Sequence, residues 1–216
     1  MRTRKKKRGV PQRTNDPERT KHDIVAVATH EFAENGLSGA RVDEIAARTK
    51  TSKRMIYYYF GSKEGLYLAV LEEAYRHIRN IEGELVVDHL SPEEGLAQLV
   101  RSTFDYHLAN PDFARLVMNE NMHRGEFIGQ STIIQKLNVP AIQSVRSIYE
   151  RGRKGGVFRD GIDPVELHWI ISALCLFNVS NRYTFAIIFK RDLGSAPVLA
   201  ARRQTALDTV LNFVRK

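Results

Sequence analysis

Apolar residues along this 216-residue chain recur at the three-to-four spacing of helices, and no stretch alternates as a half-buried strand does. The pattern predicts an all-α protein. Asn15-Asp16-Pro17-Glu18 reads as a helix start, with Asp16 as cap, Pro17 at the first position and Glu18 at the positive end of the dipole. Ile24, Val27, Ala28 and Phe32 then give an amphipathic helix that ends at Asn35-Gly36. Val42, Ile45 and Ala46 share one face of a short second helix. Thr49-Lys50-Thr51 interrupts the pattern, and Ser52 can cap a third helix, Lys53 to Tyr59. Phe32, Leu37, Val42, Ile45, Ile56 and Phe60 are the expected core of this first unit.

The remainder predicts longer helices. Ser62-Lys63-Glu64 opens one whose stripe, from Leu66 through Val70, Leu71, Ala74, Tyr75, Ile78 and Ile81, runs to about Leu85. Ser91-Pro92-Glu93-Glu94 is a capping box that starts a helix ending at Asn110-Pro111. Further helices are expected from Phe113 to His123 and from about Thr132 to Lys154, the latter bent at Pro140. One long helix should run from Asp163-Pro164 through Trp169 and Phe177 towards Phe189, and a last one from about Pro197 to Val214.

Charge sharpens the picture of the first unit. Residues 1–63 hold 15 Lys/Arg against 7 Asp/Glu, whereas residues 64–216 hold 18 of each, so the whole net charge of +8 sits on the N-terminal quarter. A polyanion partner is the simplest reading, because neutralising phosphates releases counterions. Two short helices about ten residues apart, the second opening with Lys53-Arg54 and closing with Tyr57-Tyr58-Tyr59, fit a helix-turn-helix whose second helix enters a major groove. Three consecutive tyrosines point in three directions around a helix, so they cannot all be core. Arg2 to Arg8 form a basic arm expected to be disordered when unbound, able to track phosphates or enter the minor groove. The plainer alternative for the arm is a solubilising tail.

The run TSKRMIYYYFGSKEGLY resembles the DNA-binding signature of TetR-family regulators, matching it at Thr51, Ser52, Ile56, Tyr57, Tyr59, Phe60, Ser62, Lys63, Glu64 and Leu66. Upstream, IVAVATHEFAENG and VDEIA resemble the family's first and second helices. The resemblance implies an N-terminal three-helix helix-turn-helix domain and a C-terminal helical bundle for ligand binding and dimerisation. The expected boundaries are a basic arm at 1–14, the DNA-binding domain at 15–62 and the second domain at 63–216. The DNA-binding positions it implies are Arg41, Thr51, Ser52, Lys53, Arg54, Tyr57, Tyr58 and Lys63. Ser52 and Lys53 open the recognition helix, and Tyr57 and Tyr58 match positions that reach backbone phosphate. Arg54 stands where many members have Gly or Ala; an arginine there can bond guanine bidentately, for ~1–3 kcal/mol of discrimination. Tyr59 replaces a more usual His. Ala40 replaces a capping Thr or Ser, which leaves the nearby phosphate to Arg41.

The second domain should sense a small molecule. Asn119 to Arg124 and Phe177 to Phe185 are polar where a core helix would not be, and buried polar groups must find partners. Phe104, His107, Asn121, His123, Arg124, Trp169, Asn178, Asn181 and Arg182 are the candidate lining of a mostly apolar effector pocket. Asn178 and Arg182, one turn apart, should share a face, and Arg124 or Arg182 would suit an anionic ligand. The alternative is an internal polar network without ligand. Trp169, Cys175 and Phe177 read as core by their helical spacing. The resemblance places dimerisation on the last two long helices, with Ala200, Leu207, Val210 and Leu211 as candidates.

Other function classes find little support. There is no G-x-S-x-G, phosphate-binding glycine loop or H-E-x-x-H, and the seven histidines lack ligand spacing, so neither an enzyme nor a metal or cofactor site is expected. The single cysteine, Cys175, fits a reducing cytoplasm. No apolar run reaches the ~18 residues of a membrane span, and the basic N-terminus lacks a secretory h-region. The expected function is a cytoplasmic, sequence-specific transcriptional regulator: a ligand-released repressor acting as a homodimer on a near-palindromic double-stranded operator. The rival is an architectural protein that binds nucleic acid by charge alone.

Overall fold

The computed structural model describes residues 16–216; the basic arm lies outside them. Among the described residues ten α-helices follow one another: α1 (Pro17–Gly39), α2 (Val42–Thr49), α3 (Lys53–Phe60), α4 (Lys63–Gly83), α5 (Pro92–Ala109), α6 (Pro111–Met122), α7 (Thr132–Lys154), α8 (Pro164–Ser180), α9 (Arg182–Ile188) and α10 (Ala196–Val214). Among the described residues the β-structure is one isolated antiparallel bridge, Phe158 to Arg215.

The helices start where their side chains can satisfy orphan N–H groups. The Asp16 carboxylate accepts the Arg19 N–H at 3.1 Å, Ser52 Oγ accepts from Met55 at 3.2 Å, and Ser62 Oγ accepts from Gly65 at 3.0 Å. Ser91 and Glu94 form the full capping box of α5. The regular part of α1 breaks at Gly36, whose φ of 64° suits a residue without Cβ, before one more turn to Gly39. At α2 the missing hydroxyl of Ala40 is replaced from another helix. The buried Glu31 carboxylate of α1 accepts the Arg41 N–H at 3.0 Å, and Ala40 itself is buried.

One apolar cluster gathers Ile24, Phe32, Val42, Ile45 and Ile56 of α1–α3 with Leu66, Tyr67, Val70 and Leu71 of α4, and continues into Leu116, Phe127 and Ile134. Leu37 and Phe60 are only partly buried against it. A second cluster fills the space between α5, α7, α8 and α10. The chain between α4 and α5 is clamped by Arg151 of α7, whose guanidinium donates to the carbonyls of Val87, Asp88 and Leu90.

Two expectations are corrected. The single long helix from Pro164 to Phe189 is two helices, broken at Asn181 and bent by 61°. Asn178 and Arg182 therefore do not share a helical face. The apolar residues of α10 also face inward: Leu207, Val210 and Leu211 are buried in the chain's own core, and Ala200 alone of the four dimer candidates is exposed. Instead α8 leaves an apolar stripe in solvent at a spacing of four, Val165, Trp169, Ala173 and Phe177, with Trp169 70% exposed. Cys175 is buried as expected, and Trp169 and Phe177 are not core. No single helix among the described residues is long and apolar enough to cross a membrane.

Candidate nucleic-acid interface and interior polar cluster

α3 is held by one fully buried side chain, Ile56, which seats it against α1, α2 and α4. The opposite side carries Lys53, Arg54, Tyr57 and Tyr58, all exposed; Tyr58 is 78% accessible. Arg54 has no ion pair among the described residues. Lys53 Nζ meets the Asp43 carboxylate at 2.7 Å, both side chains about half exposed, a pairing worth at most ~1 kcal/mol that a phosphate can displace. The Ser52 hydroxyl oxygen is engaged as cap, which leaves its proton to donate. Arg41 is exposed and only loosely paired with Glu44, at 3.9 Å. Thr51 and Lys63 are half-buried, and Lys63 Nζ donates to the Ser38 carbonyl at 3.2 Å. Tyr59 turns inward: it lies edge-on to Phe60, with Lys21 of α1 over its ring. The three tyrosines thus divide, two outward and one against α1.

The nine candidate effector residues are not brought together. Phe104 and His107 are buried, whereas Asn121, Arg124 and Trp169 face solvent. The His123 ring bonds the Asn119 carbonyl at 2.8 Å, Asn178 is engaged by Arg202 and the Leu174 carbonyl, Asn181 Nδ2 donates to Ser180 Oγ, and the Arg182 guanidinium lies over Tyr183. Their polarity is used up locally around the α6 end and the α8–α9 break.

The interior instead holds a polar cluster centred on α4. Arg79 and Glu82 form an ion pair with side chains about 10% exposed. Arg79 Nε and His107 Nδ1 are buried and have no hydrogen-bond partner among the described residues. Burial first, and the Arg79 charge second, push both His107 and His168 down to about 4, so both rings are neutral near pH 7. Burial raises the Glu82 carboxyl, and Arg79 tempers that rise. A cleft of about 350 Å³ opens onto the pair between α4 and α7, and a cavity of about 20 Å³ behind Glu82 reaches His168. The sequence carried a faint trace of this site, a charged pair three residues apart within the apolar stripe of α4.

A profile of the bacterial regulatory proteins of the tetR family matches residues 24–70, and one of the tetracyclin repressor-like C-terminal domain matches 92–210. The chain is 35% identical over 216 residues, the full length of both, to the HTH-type transcriptional repressor NicS of Pseudomonas putida. The chain belongs to the TetR family. A second relative, the HTH-type transcriptional repressor SCO4008 of Streptomyces coelicolor, is 32% identical over 74% of this chain and 78% of its own. Among solved structures, the putative transcriptional regulator SCO4942 of Streptomyces coelicolor superposes with a TM-score of 0.68 at 26% identity, covering 90% of this chain and 98% of its own. A tetR-family protein from Rhodococcus shares the fold with a TM-score of 0.70 at 20% identity, over 91% and 97%.

In this TetR-family chain α1 is joined to α6 by side chains as well as by packing. His30 Nδ1 lies 3.1 Å from the Asp112 carboxylate, and Arg115 pairs with Glu34. Asn119 Nδ2 reaches the Phe32 carbonyl at 3.4 Å. Further in, the buried Glu120 carboxylate accepts the N–H groups of Phe127 and Ile128 at 2.7 and 2.9 Å, and Ser131 bonds Glu72 of α4. Sequence reasoning missed Glu31 and Glu120 because each bonds backbone seven to ten residues on, beyond the three-residue spacing of a local cap. These bonds tie α1 to α6, and α4 to the start of α7.

Proposed function

We propose that the protein is a sequence-specific transcriptional repressor that binds a near-palindromic operator as a homodimer and leaves it when a small molecule occupies its C-terminal body. In this reading residues 15–62 are the DNA-reading head and residues 63–216 sense and pair, in the cytoplasm. The observation that carries it is the outward face of α3: a buried Ile56 anchors the helix, and Arg54, Tyr57 and Tyr58 stand in solvent beside Ser52 and Lys53. An unpaired arginine at the second position of such a helix suits a guanine edge, and the tyrosine hydroxyls and Lys53 suit phosphates. The names of NicS and SCO4008, both repressors, support the direction of the output.

The exposed stripe Val165, Trp169, Ala173 and Phe177 supports pairing by α8, since apolar rows of that kind on a soluble chain mark contact surfaces. The second copy would lay the same stripe against it, as two-fold interfaces require. The two α3 helices would then meet successive major grooves ~34–36 Å apart. Recovery of fragmented host genome by the purified chain tests the reading against binding by charge alone. A specific repressor enriches a few discrete fragments. Uniform recovery at physiological salt would leave only the architectural alternative.

A further inference from the structure

We propose that the effector is a small carboxylate on an apolar body, entering between α4 and α7 and anchored by the Arg79 guanidinium. The inference rests on the effector-released reading above and names the chemistry of its ligand. Arg79 lines the cleft with a side chain nine-tenths buried, spends Nη1 on Glu82, and keeps a buried Nε with no acceptor among the described residues. A buried donor of that kind carries its full desolvation cost until an acceptor arrives, and guanidinium is built to take a carboxylate with two parallel bonds. A cationic ligand would meet Arg79 with Glu82 already engaged. A phosphate dianion would bring two charges to one buried arginine, with Lys136 the further cation lining the cleft. One negative charge fits.

The rest of the site describes the body. Ile133, Leu137, Pro140 and Ala141 of α7 form an apolar approach, and Val145 and Ile148 line the inner cavity. That cavity has room for little more than one water-sized group, and it ends at His168. The neutral His168 ring can offer one N–H there without adding charge. Glu82 is the resident rival of the ligand, already seated on the guanidinium the ligand would use. Movement at Arg79 has a path outward, because α4 begins at Lys63 directly after α3.

The test uses the full chain with hexanoate and benzoate as probes, and hexanamide and benzamide as their uncharged counterparts. Melting temperature and release of a recovered genomic fragment are the readouts. The carboxylates should raise the melting temperature and release DNA, with the amides weaker by about tenfold or more, the worth of a charge-assisted bond. Arg79→Gln should erase that preference while still binding DNA. Glu82→Gln should tighten carboxylate binding by removing the rival, and it decides the matter should Arg79→Gln fail to fold. Equal binding of acids and amides, no binding of either acid, a preference that survives Arg79→Gln, or unchanged carboxylate affinity in Glu82→Gln would each overturn the proposal. Retained DNA binding without a carboxylate response removes this site alone. Carboxylate binding by a chain indifferent to DNA sequence removes the repressor reading instead.

Discussion

Acidification should destabilise this protein through His107, and the size of the effect follows from its burial. The residue is 4% exposed, and burial with help from Arg79 brings its ring to about 4 from an unfolded value of 6.5. The folded value lies below the unfolded one, so stability present above pH 6.5 is lost as the pH falls towards 4. At about pH 5 the unfolded ring is almost fully protonated and the folded ring is not, a difference of about 2 kcal/mol. His168 acts in the same direction. Glu82 opposes both, because its raised carboxyl takes up a proton more readily in the folded chain than in the unfolded one. The wild-type curve is therefore a sum, and His107→Gln isolates one part of it. Urea denaturation of both chains at a fixed protein concentration, at about pH 7.5 and pH 5, gives two stability gaps. The wild type should lose about 2 kcal/mol more than the variant over that interval. A gap that does not change with pH, or that changes with the opposite sign, would refute a buried, neutral His107.

Three further substitutions probe the frame. Gly152→Ala would place a Cβ 2.0 Å from the Phe158 ring, and Phe158 is fully buried; thermal denaturation should show a loss of about 1–3 kcal/mol or more, and an unshifted melting temperature would contradict the packing. Glu31→Ala removes the acceptor that holds the Arg41 N–H, so urea denaturation should show a loss of ~1 kcal/mol and DNA affinity should fall; unchanged values in both would show that α2 needs no such cap. Trp169→Glu puts a charge in the exposed α8 stripe, and sedimentation should find single chains with weakened operator binding; a persistent dimer would move the interface elsewhere.

What could be read from the chain alone was whatever is decided locally. The caps at Asp16, Ser52, Ser62 and Ser91 lie within three residues of the groups they satisfy, and each is formed. The α2–α3 pair was legible because Ile45 and Ile56 fix which faces turn inward, leaving Arg54 and Tyr58 outside. The break at Asn181 was hidden because Asn178 and Arg182 are equally compatible with a continuous helix. The faces of α10 were hidden too: spacing marks Leu207, Val210 and Leu211 as apolar and does not say whether α5 and α8 or a second chain covers them. The Arg79–Glu82 pair reads, at a spacing of three, like any solvated helix pair, and only the packing of α5, α7 and α8 around it takes it out of water.

In the proposed function α3 reads bases through Arg54. Selection of bound duplexes from a random pool, run in parallel with the wild-type chain and Arg54→Ala, tests it most directly. The wild type should yield a near-palindromic motif with half-sites one helical turn apart, and the variant should lose discrimination at one symmetric pair of positions, by ~1–3 kcal/mol, with the rest of the motif intact. Identical motifs from both chains, or no motif from the wild type, would contradict it.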